Sequence, residues 1–388
     1  MKFKSLLRKM HLWLGLFSGV IVFIIAVTGC IYVFQQEITG ALRSQWINVK
    51  NEGQSLPFHQ IWNNAQKAVG DEHKVLLGTQ YTNPEKSCVF LAFEEEDNAW
   101  SYFGHVKYYY KIYVNPYTGK VLKVYDEKND FFQIVKMIHW SLLLKDEIGQ
   151  PIVGVATLIF VFLLISGVIM WWPKKRKAFK KKLALNWNHK TKWMKKNFDL
   201  HGILAIYSSL FAFIIAITGL VWAFQWVQML VYVIFSMSVT PPDLAMVAST
   251  VPKDKIEVKT HPYDIALEES FKLHSDANGF QIAPPLVEDT TGSISVYVQQ
   301  NEGVYYKSHG LQFDQYSGEL LKVRNHNEKN FGEQVVTANY DIHVGAILGI
   351  PGKILAFVLS LMIASLPVTG FIFWYNRDFK HPKKRRRA

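Results

Sequence analysis

Apolar residues gather into four long runs, Leu12–Phe34, Pro151–Trp172, Leu204–Trp226 and Ile347–Trp374. A membrane-crossing helix needs about 20 such residues at a rise of about 1.5 Å each, so each run predicts one transmembrane helix. Two polar segments of domain size, 36–138 and 240–338, separate the runs in pairs. Inside them the period changes. Phe58–Val69 and Tyr263–His274 repeat like amphipathic helices, whereas Ser87–Phe93 and Ser293–Gln299 alternate like strands. Residues 112–124, IYVNPYTGKVLKV, and 311–323, LQFDQYSGELLKV, each predict strand, tight turn, strand, with Gly119 and Gly318 at the turn position that favours φ > 0. The expected fold is therefore a membrane α-helical bundle of four spans carrying two small α+β modules. Its segments are 1–36, 37–138, 139–173, 174–198, 199–236, 237–338, 339–376 and 377–388.

The first span is written twice. HLWLGLFSGVIVFIIAVTGCIYVFQQ, starting at His11, returns as HGILAIYSSLFAFIIAITGLVWAFQW, starting at His201, with 11 of 26 positions identical and no gap. Apolar helices share Leu and Ile by chance. They do not readily share a leading histidine, a Thr-Gly pair and a Phe-Gln pair at the same offsets. Together with the paired turn motifs, this implies an internal duplication. At 100° per residue His11, Gly15, Ser18, Val22 and Gly29 fall on one face, as do His201, Ala205, Ser208, Ala212 and Gly219. Such a stripe allows close helix packing, room for a flat cofactor, or both. Asp199 stands where it could cap the third helix, and Asp199 and Asp341, each two residues before a histidine, read as caps.

Charge orients the chain. Lys2, Lys4, Arg8 and Lys9 precede the first run, a dense basic loop from Lys174 to Lys196 joins the second to the third, and residues 383–387 are all basic. The segment 36–138 carries 11 basic and 12 acidic residues and has no such bias. The positive-inside rule places both termini and the basic loop in the cytoplasm and both modules outside. The net charge of +12 is then explained by topology and anionic lipid, with no nucleic-acid partner. Cys30 and Cys88 lie in different compartments, so no disulfide is expected between them. Val27-Thr28-Gly29-Cys30 imitates a lipoprotein signal ending, but the long apolar run marks an uncleaved helix.

A second histidine follows each module: His139 before Gly149 and Pro151, and His343 before Gly349 and Pro351. The spans after them close on Ser166-Gly167 and Thr369-Gly370, then on Trp171-Trp172 and Trp374-Tyr375 as an inner aromatic belt. His343 to Trp374 is 31 residues, about 46 Å as helix against a hydrocarbon core of about 30 Å. His139 and His343 are thus expected near the outer headgroups on a short interfacial segment, and His11 and His201 at the inner surface. One histidine at a helix end is usually a hydrogen-bonded or snorkelling residue. Four in matched positions point to axial ligation of two haem irons, His11 with His201 and His139 with His343, an arrangement suited to electron transfer because no axial position stays open. Zinc fits less well, since cysteine and carboxylate ligands are sparse nearby. Arg8, Lys9 and Lys196 inside, and Lys136 and Lys145 outside, could meet haem propionates or simply lipid headgroups. The other nine histidines show no matched spacing and read as surface residues, with His105 and His309 able to touch an outer substrate. No dinucleotide-binding or phosphate-binding loop is present, so an electron donor must be separate, a quinol or a cytoplasmic reductase.

These motifs resemble the PepSY-associated transmembrane family, iron-regulated membrane proteins that include ferric-siderophore reductases of bacterial inner membranes. The resemblance rests on His11 with Thr28-Gly29, the Tyr117–Leu122 turn, His139-Trp140-Ser141-Leu142-Leu143-Leu144, Trp171-Trp172-Pro173, Asp199-Leu200-His201-Gly202 and Thr218-Gly219, and covers nearly the whole chain. It implies two extracytoplasmic PepSY modules on a four-helix core, two b-type haems, and an enzyme that delivers electrons to ferric siderophores or other ferric chelates outside the inner membrane. Asp314-Gln315 departs from the Asp-Pro start usual in such modules. A membrane-tethered module that binds peptides or regulates proteases, and a transporter of chelates or haem, are the competing readings. The latter is disfavoured by spans without a midplane charge or a broken helix.

Overall fold

The computed structural model describes residues 3–173, 175–252, 259–286 and 288–380. Of the residues used to orient the chain, Lys2, Lys174 and the basic run 383–387 lie outside the described residues. In the first half the helices are α1 (Phe3–Tyr32), α2 (Gln35–Leu42), α3 (Ser44–Ile47), α4 (Phe58–Val69), α5 (Tyr102–His105), α6 (Phe131–Ser141), α7 (Asp146–Trp171) and α8 (Arg176–Lys182). The second half has α9 (Trp193–Ala223), α10 (Gln225–Ser236), α11 (Pro262–Leu273), α12 (Phe331–Thr337), α13 (Asn339–His343) and α14 (Gly349–Tyr375). The described residues form two compact units, one within 3–33, 135–228 and 342–380, the other within 34–134 and 229–341.

The first unit holds four helices long and apolar enough to cross a membrane, Phe3–Tyr32, Asp146–Trp171, Trp193–Ala223 and Ala346–Phe379. The first three start earlier than their apolar runs, because Lys, Arg, Met and Glu are good enough helix formers to extend a helix beyond its hydrophobic part. The third is the largest correction. It begins at Trp193, with Lys192 at the cap, so Asp199 sits inside the helix and caps nothing. Its carboxylate instead pairs with Lys195 and accepts a hydrogen bond from Trp187 Nε1 at 3.3 Å. α1 packs on α7 and α14, and α9 packs on the same two, so α1 and α9 face each other along one diagonal. Val22 and Ala26, Ala212 and Ala216, and Phe160 and Leu164 meet at the centre of this bundle. In lipid no water is released by that contact. Close approach through small side chains must hold the helices, which is what the stripe from Ser18 to Ala26 does.

The second unit is built on one antiparallel sheet of eight strands in the order β4-β3-β2-β1-β5-β6-β7-β8. β1 (Val75–Tyr81), β2 (Cys88–Glu95), β3 (Val106–Val114) and β4 (Val121–Asp126) come from the first polar segment. β5 (Gly279–Ala283), β6 (Ser293–Asn301), β7 (Val304–Asp314) and β8 (Leu320–Arg324) come from the second. The sequence expectation of two α+β modules holds for each four-stranded half. It did not anticipate that β1 and β5 would pair from Gly78 with Ile282 to Tyr81 with Gly279, making one sheet of both. α4 and α11 lie side by side on one face, over a core of Phe90, Ile112, Phe280, Val296 and Phe313. At that seam the His59 main-chain N–H donates to Asp264 Oδ1 at 3.0 Å, its ring nitrogen Nδ1 pairs with Asp264 Oδ2, and the ring stacks on His261 at 4.9 Å.

Both hairpin turns form as expected. Gly119 and Gly318 have φ of 68° and 74°. Asn115 Oδ1 accepts the Tyr117 and Thr118 N–H groups at 2.8 and 3.2 Å, and Asp314 Oδ1 accepts those of Tyr316 and Ser317, both at 2.9 Å. Asp314-Gln315 therefore builds the same turn as Asn115-Pro116, and the departure at this position is conformationally silent. Cys30 and Cys88 are both free and buried.

Candidate functional site

The four matched histidines all belong to the first unit, and each ring is held in the same way. His11 on α1 places Nδ1 2.8 Å from Ser166 Oγ on α7. His201 on α9 places Nδ1 2.8 Å from Thr369 Oγ1 on α14. His139, in the last turn of α6, places Nδ1 2.7 Å from the Ile25 carbonyl and 3.2 Å from Thr28 Oγ1 on α1. His343, ending α13, places Nδ1 2.9 Å from Thr218 Oγ1 and 3.1 Å from the Ile215 carbonyl on α9. The residue after each hydroxyl is glycine, and a Cβ there would come within 3.3–3.5 Å of the ring's Cε1: Gly167 for His11, Gly370 for His201, Gly29 for His139 and Gly219 for His343. Within each half the pattern is reciprocal. α1 sends a ring to the hydroxyl-glycine pair of α7, and the segment leading into α7 sends a ring back to the pair on α1. The second half repeats this with α9 and α14.

The tautomer follows from counting hydrogens. Thr28 Oγ1 donates to the Ile24 carbonyl at 2.8 Å, Thr218 Oγ1 to Ile214 at 3.0 Å, Thr369 Oγ1 to Ser365 at 2.8 Å and Ser166 Oγ to Leu163 at 3.1 Å. With its one hydrogen engaged in its own helix, each hydroxyl can only accept from the ring. Nδ1 is therefore the protonated nitrogen in all four histidines, and the lone pair resides on Nε2. A ring whose N–H is fixed by a second partner presents the other nitrogen in a set orientation, as metal-ligating histidines do.

The rings of His139 and His343 lie 5.9 Å apart between centroids at 73°. Two imidazoles sharing one metal through nitrogens at about 2 Å would have ring centres about 6 Å apart, so this pair fits such a group. His11 and His201 stand on the two diagonal helices, each against the hydroxyl-glycine pair of a neighbouring span. Neither His139 nor His343 falls within the four spans, yet both are enclosed. Burial lowers the pKa of His139 and, with the charge of His139 added, pushes His343 down to about 3. Both shifts favour the neutral ring, the form that can ligate.

A close contact sets the angle at which α6 meets α7. Leu142 and Leu143 follow with φ of 56° and 60°, a left-handed pair that costs about 1 kcal/mol or more per residue. A Cβ on Gly149 would lie 2.1 Å from the Ser141 carbonyl oxygen, and one on Gly352 2.1 Å from that of Gly345. Both histidine-bearing turns are thus pressed against the helix that follows. Gly149→Ala is expected to destabilise the full chain by about 1–3 kcal/mol. Gly40→Ala, in a helix with open space at its Cβ, should be neutral or stabilising by up to about 1 kcal/mol. Denaturant midpoints of the two variants compare them, and equal midpoints would contradict the contact.

Other expected site residues are placed less simply. Arg8 and Lys9 are exposed, Lys196 lies over the Trp187 ring at 5.9 Å, and Lys145 pairs with Glu147 at 3.7 Å. Asp341 lies inside α13, and its Oδ2 accepts the N–H groups of Tyr305 and Tyr306 at 2.9 and 2.7 Å. His105 is a correction to the surface assignment. It is buried, with Nδ1 2.6 Å from the Glu96 carbonyl, a structural role rather than a substrate contact. His309 is half-buried, 4.1 Å from the ring of His274. The partners missed from the sequence are Ser166, Thr28, Thr218 and Thr369. Their signal was visible, since a hydroxyl-glycine dipeptide stands in each span, with a second, Ser18-Gly19, in the first, but which ring meets which pair depends on helix order.

The signature of the PepSY-associated TM region matches residues 8–377. The chain belongs to this family. The match spans all four helices and both halves of the sheet, so the histidine arrangement and the eight-stranded unit are parts of one PepSY-associated protein. No curated protein matches the chain.

Proposed function

We propose that this PepSY-associated protein is a transmembrane electron-transfer protein that holds one b-type haem between His11 and His201 and a second between His139 and His343, and that it reduces ferric chelates, ferric siderophores among them, outside the membrane. The observation that carries the reading is the fourfold recurrence of a ring whose Nδ1 is engaged by a hydroxyl of a neighbouring span, with glycine beneath it. Each haem, when bound, supplies a one-electron ferric–ferrous couple. Two rings would hold each haem, His11 with His201 and His139 with His343, and iron so held would carry electrons rather than bind oxygen or water. His11 and Thr28 stand 17 residues apart on α1, as do His201 and Thr218 on α9. A rigid helix thus separates the two levels by about 26 Å, most of a hydrocarbon core.

The basic residues near Lys4 and Lys190 favour cytoplasmic termini and loop, and so polar segments outside a bacterial inner membrane. The reciprocal arrangement in each half, with the 11 shared positions, favours an origin by internal duplication. One electron per iron must come from a separate donor, a membrane quinol or a cytoplasmic reductase. The test is a visible spectrum of full-length protein purified from haem-supplied cells. The expected result is a Soret band, an α-band on reduction and about two haems per chain; a colourless preparation would sink the proposal.

A further inference from the structure

We infer that Ser166-Gly167, Thr28-Gly29, Thr218-Gly219 and Thr369-Gly370 are positioning residues for the four rings, and that Ser166 by itself sets the tautomer and basicity of His11. The inference rests on the di-haem reading for its consequence but on geometry for its content. His139 and His343 each have a main-chain carbonyl near Nδ1 besides the hydroxyl, from Ile25 and Ile215, and His201 has a main-chain hydrogen bond with Leu366 besides its hydroxyl. For His11 the Ser166 hydroxyl, at 2.8 Å, is the one Nδ1 partner among the described residues. Ser166 is 1% exposed, so water has no ready path to take its place. Its own hydrogen goes to the Leu163 carbonyl, which makes the oxygen an acceptor and Nδ1 the donor.

Removing that oxygen leaves a buried N–H without a partner and frees the ring to turn or to move its proton to Nε2. A histidine that loses its second partner is also a less basic ligand. A less basic ligand stabilises ferric iron less, so the couple at that site becomes easier to reduce. The glycine has a separate job, since the ring occupies the space a Cβ and its substituents would need.

The experiment is a redox titration of the full-length protein in lipid nanodiscs, followed at the α-band, for wild type, Ser166→Ala and Ser166→Thr. Threonine stands at the other three equivalent places and keeps the oxygen. Ser166→Ala should raise the midpoint potential of one of the two transitions, or lose that haem, and leave the other unmoved, while Ser166→Thr titrates like wild type. No change in Ser166→Ala, or the same change in both variants, overturns the inference. If wild-type protein carries no haem, the di-haem reading has failed, and ring ¹⁵N shifts then decide the positioning claim. His11 should show the Nδ1–H tautomer in wild type and lose it in Ser166→Ala; an Nε2–H tautomer in wild type overturns it.

Discussion

On the proposed di-haem reading, replacing His343 with alanine is expected to remove one haem of two. His343 and His139 face each other 5.9 Å apart between ring centres, and no other His, Cys, Asp or Glu among the described residues joins them in a group able to hold a metal. With one ring gone, His139 remains anchored through Nδ1 to the Ile25 carbonyl but lacks a partner across the bundle. A haem held on one side alone opens an axial position, so any remnant at that site should become high-spin and bind carbon monoxide. The level of His11 and His201 has its own hydroxyls, from Ser166 and Thr369, and is expected to keep its spectrum. Haem per chain should fall from about two to about one, and ferric-chelate reduction should be lost. His11→Ala should remove the other haem. Retention of both haems in His343→Ala, or loss of the same haem in the two variants, would contradict the assignment.

The positions that speak most clearly in the sequence are those where one residue's chemistry is strongly constrained. Gly119 and Gly318 announced their turns because only glycine takes a φ near 70° without strain. Phe58–Val69 was legible to the residue, because its apolar positions alternate with polar ones at a helical period and Gly70 ends it. The histidine pairs were legible because the chain repeats them. Helix starts were not. Nothing in the apolar run marks Trp193 as the beginning of α9, since residues 193–203 mix Lys, Asn and Asp with apolar side chains and extend the helix on propensity alone. The β1–β5 seam was also silent: it consists of main-chain hydrogen bonds between two edge strands, and such pairing leaves no residue-type signature. The hydroxyl partners of the rings fall between these cases, visible as dipeptides yet unassignable before α1 and α9 were known to be diagonal.

The other large effect is expected in the second unit, at Arg43. Its guanidinium is buried, 2.7 Å from Glu127 Oε2 and 2.8 Å from Asp130 Oδ2, and it lies 3.8 Å over the Tyr125 ring. Asp130 Oδ1 in turn accepts the N–H groups of Phe132 and Gln133 at 2.8 and 3.2 Å, so the same carboxylate caps α6. Burial alone would raise Asp130, but the Tyr125 hydroxyl, the Arg43 charge and these N–H groups outweigh it and hold its pKa below the ordinary 3.8. A depressed carboxylate stabilises the fold at pH well above 3.8, and that contribution is lost as the pH falls through the folded value. Arg43→Ala leaves Asp130 without its cation and Glu127 with only Lys111, at 2.9 Å. Truncating one member of a buried ionic group typically costs about 3–5 kcal/mol, against about 0–1 kcal/mol for an exposed pair. Arg43→Lys should recover only part, because one ammonium cannot bridge two carboxylates as a planar fork does. Adding Asp130→Asn to Arg43→Ala should recover some stability by removing the stranded charge. Urea unfolding of the full chain at pH 7 measures all three. A loss below about 1 kcal/mol for Arg43→Ala would mean water reaches the cluster and the network is a surface one.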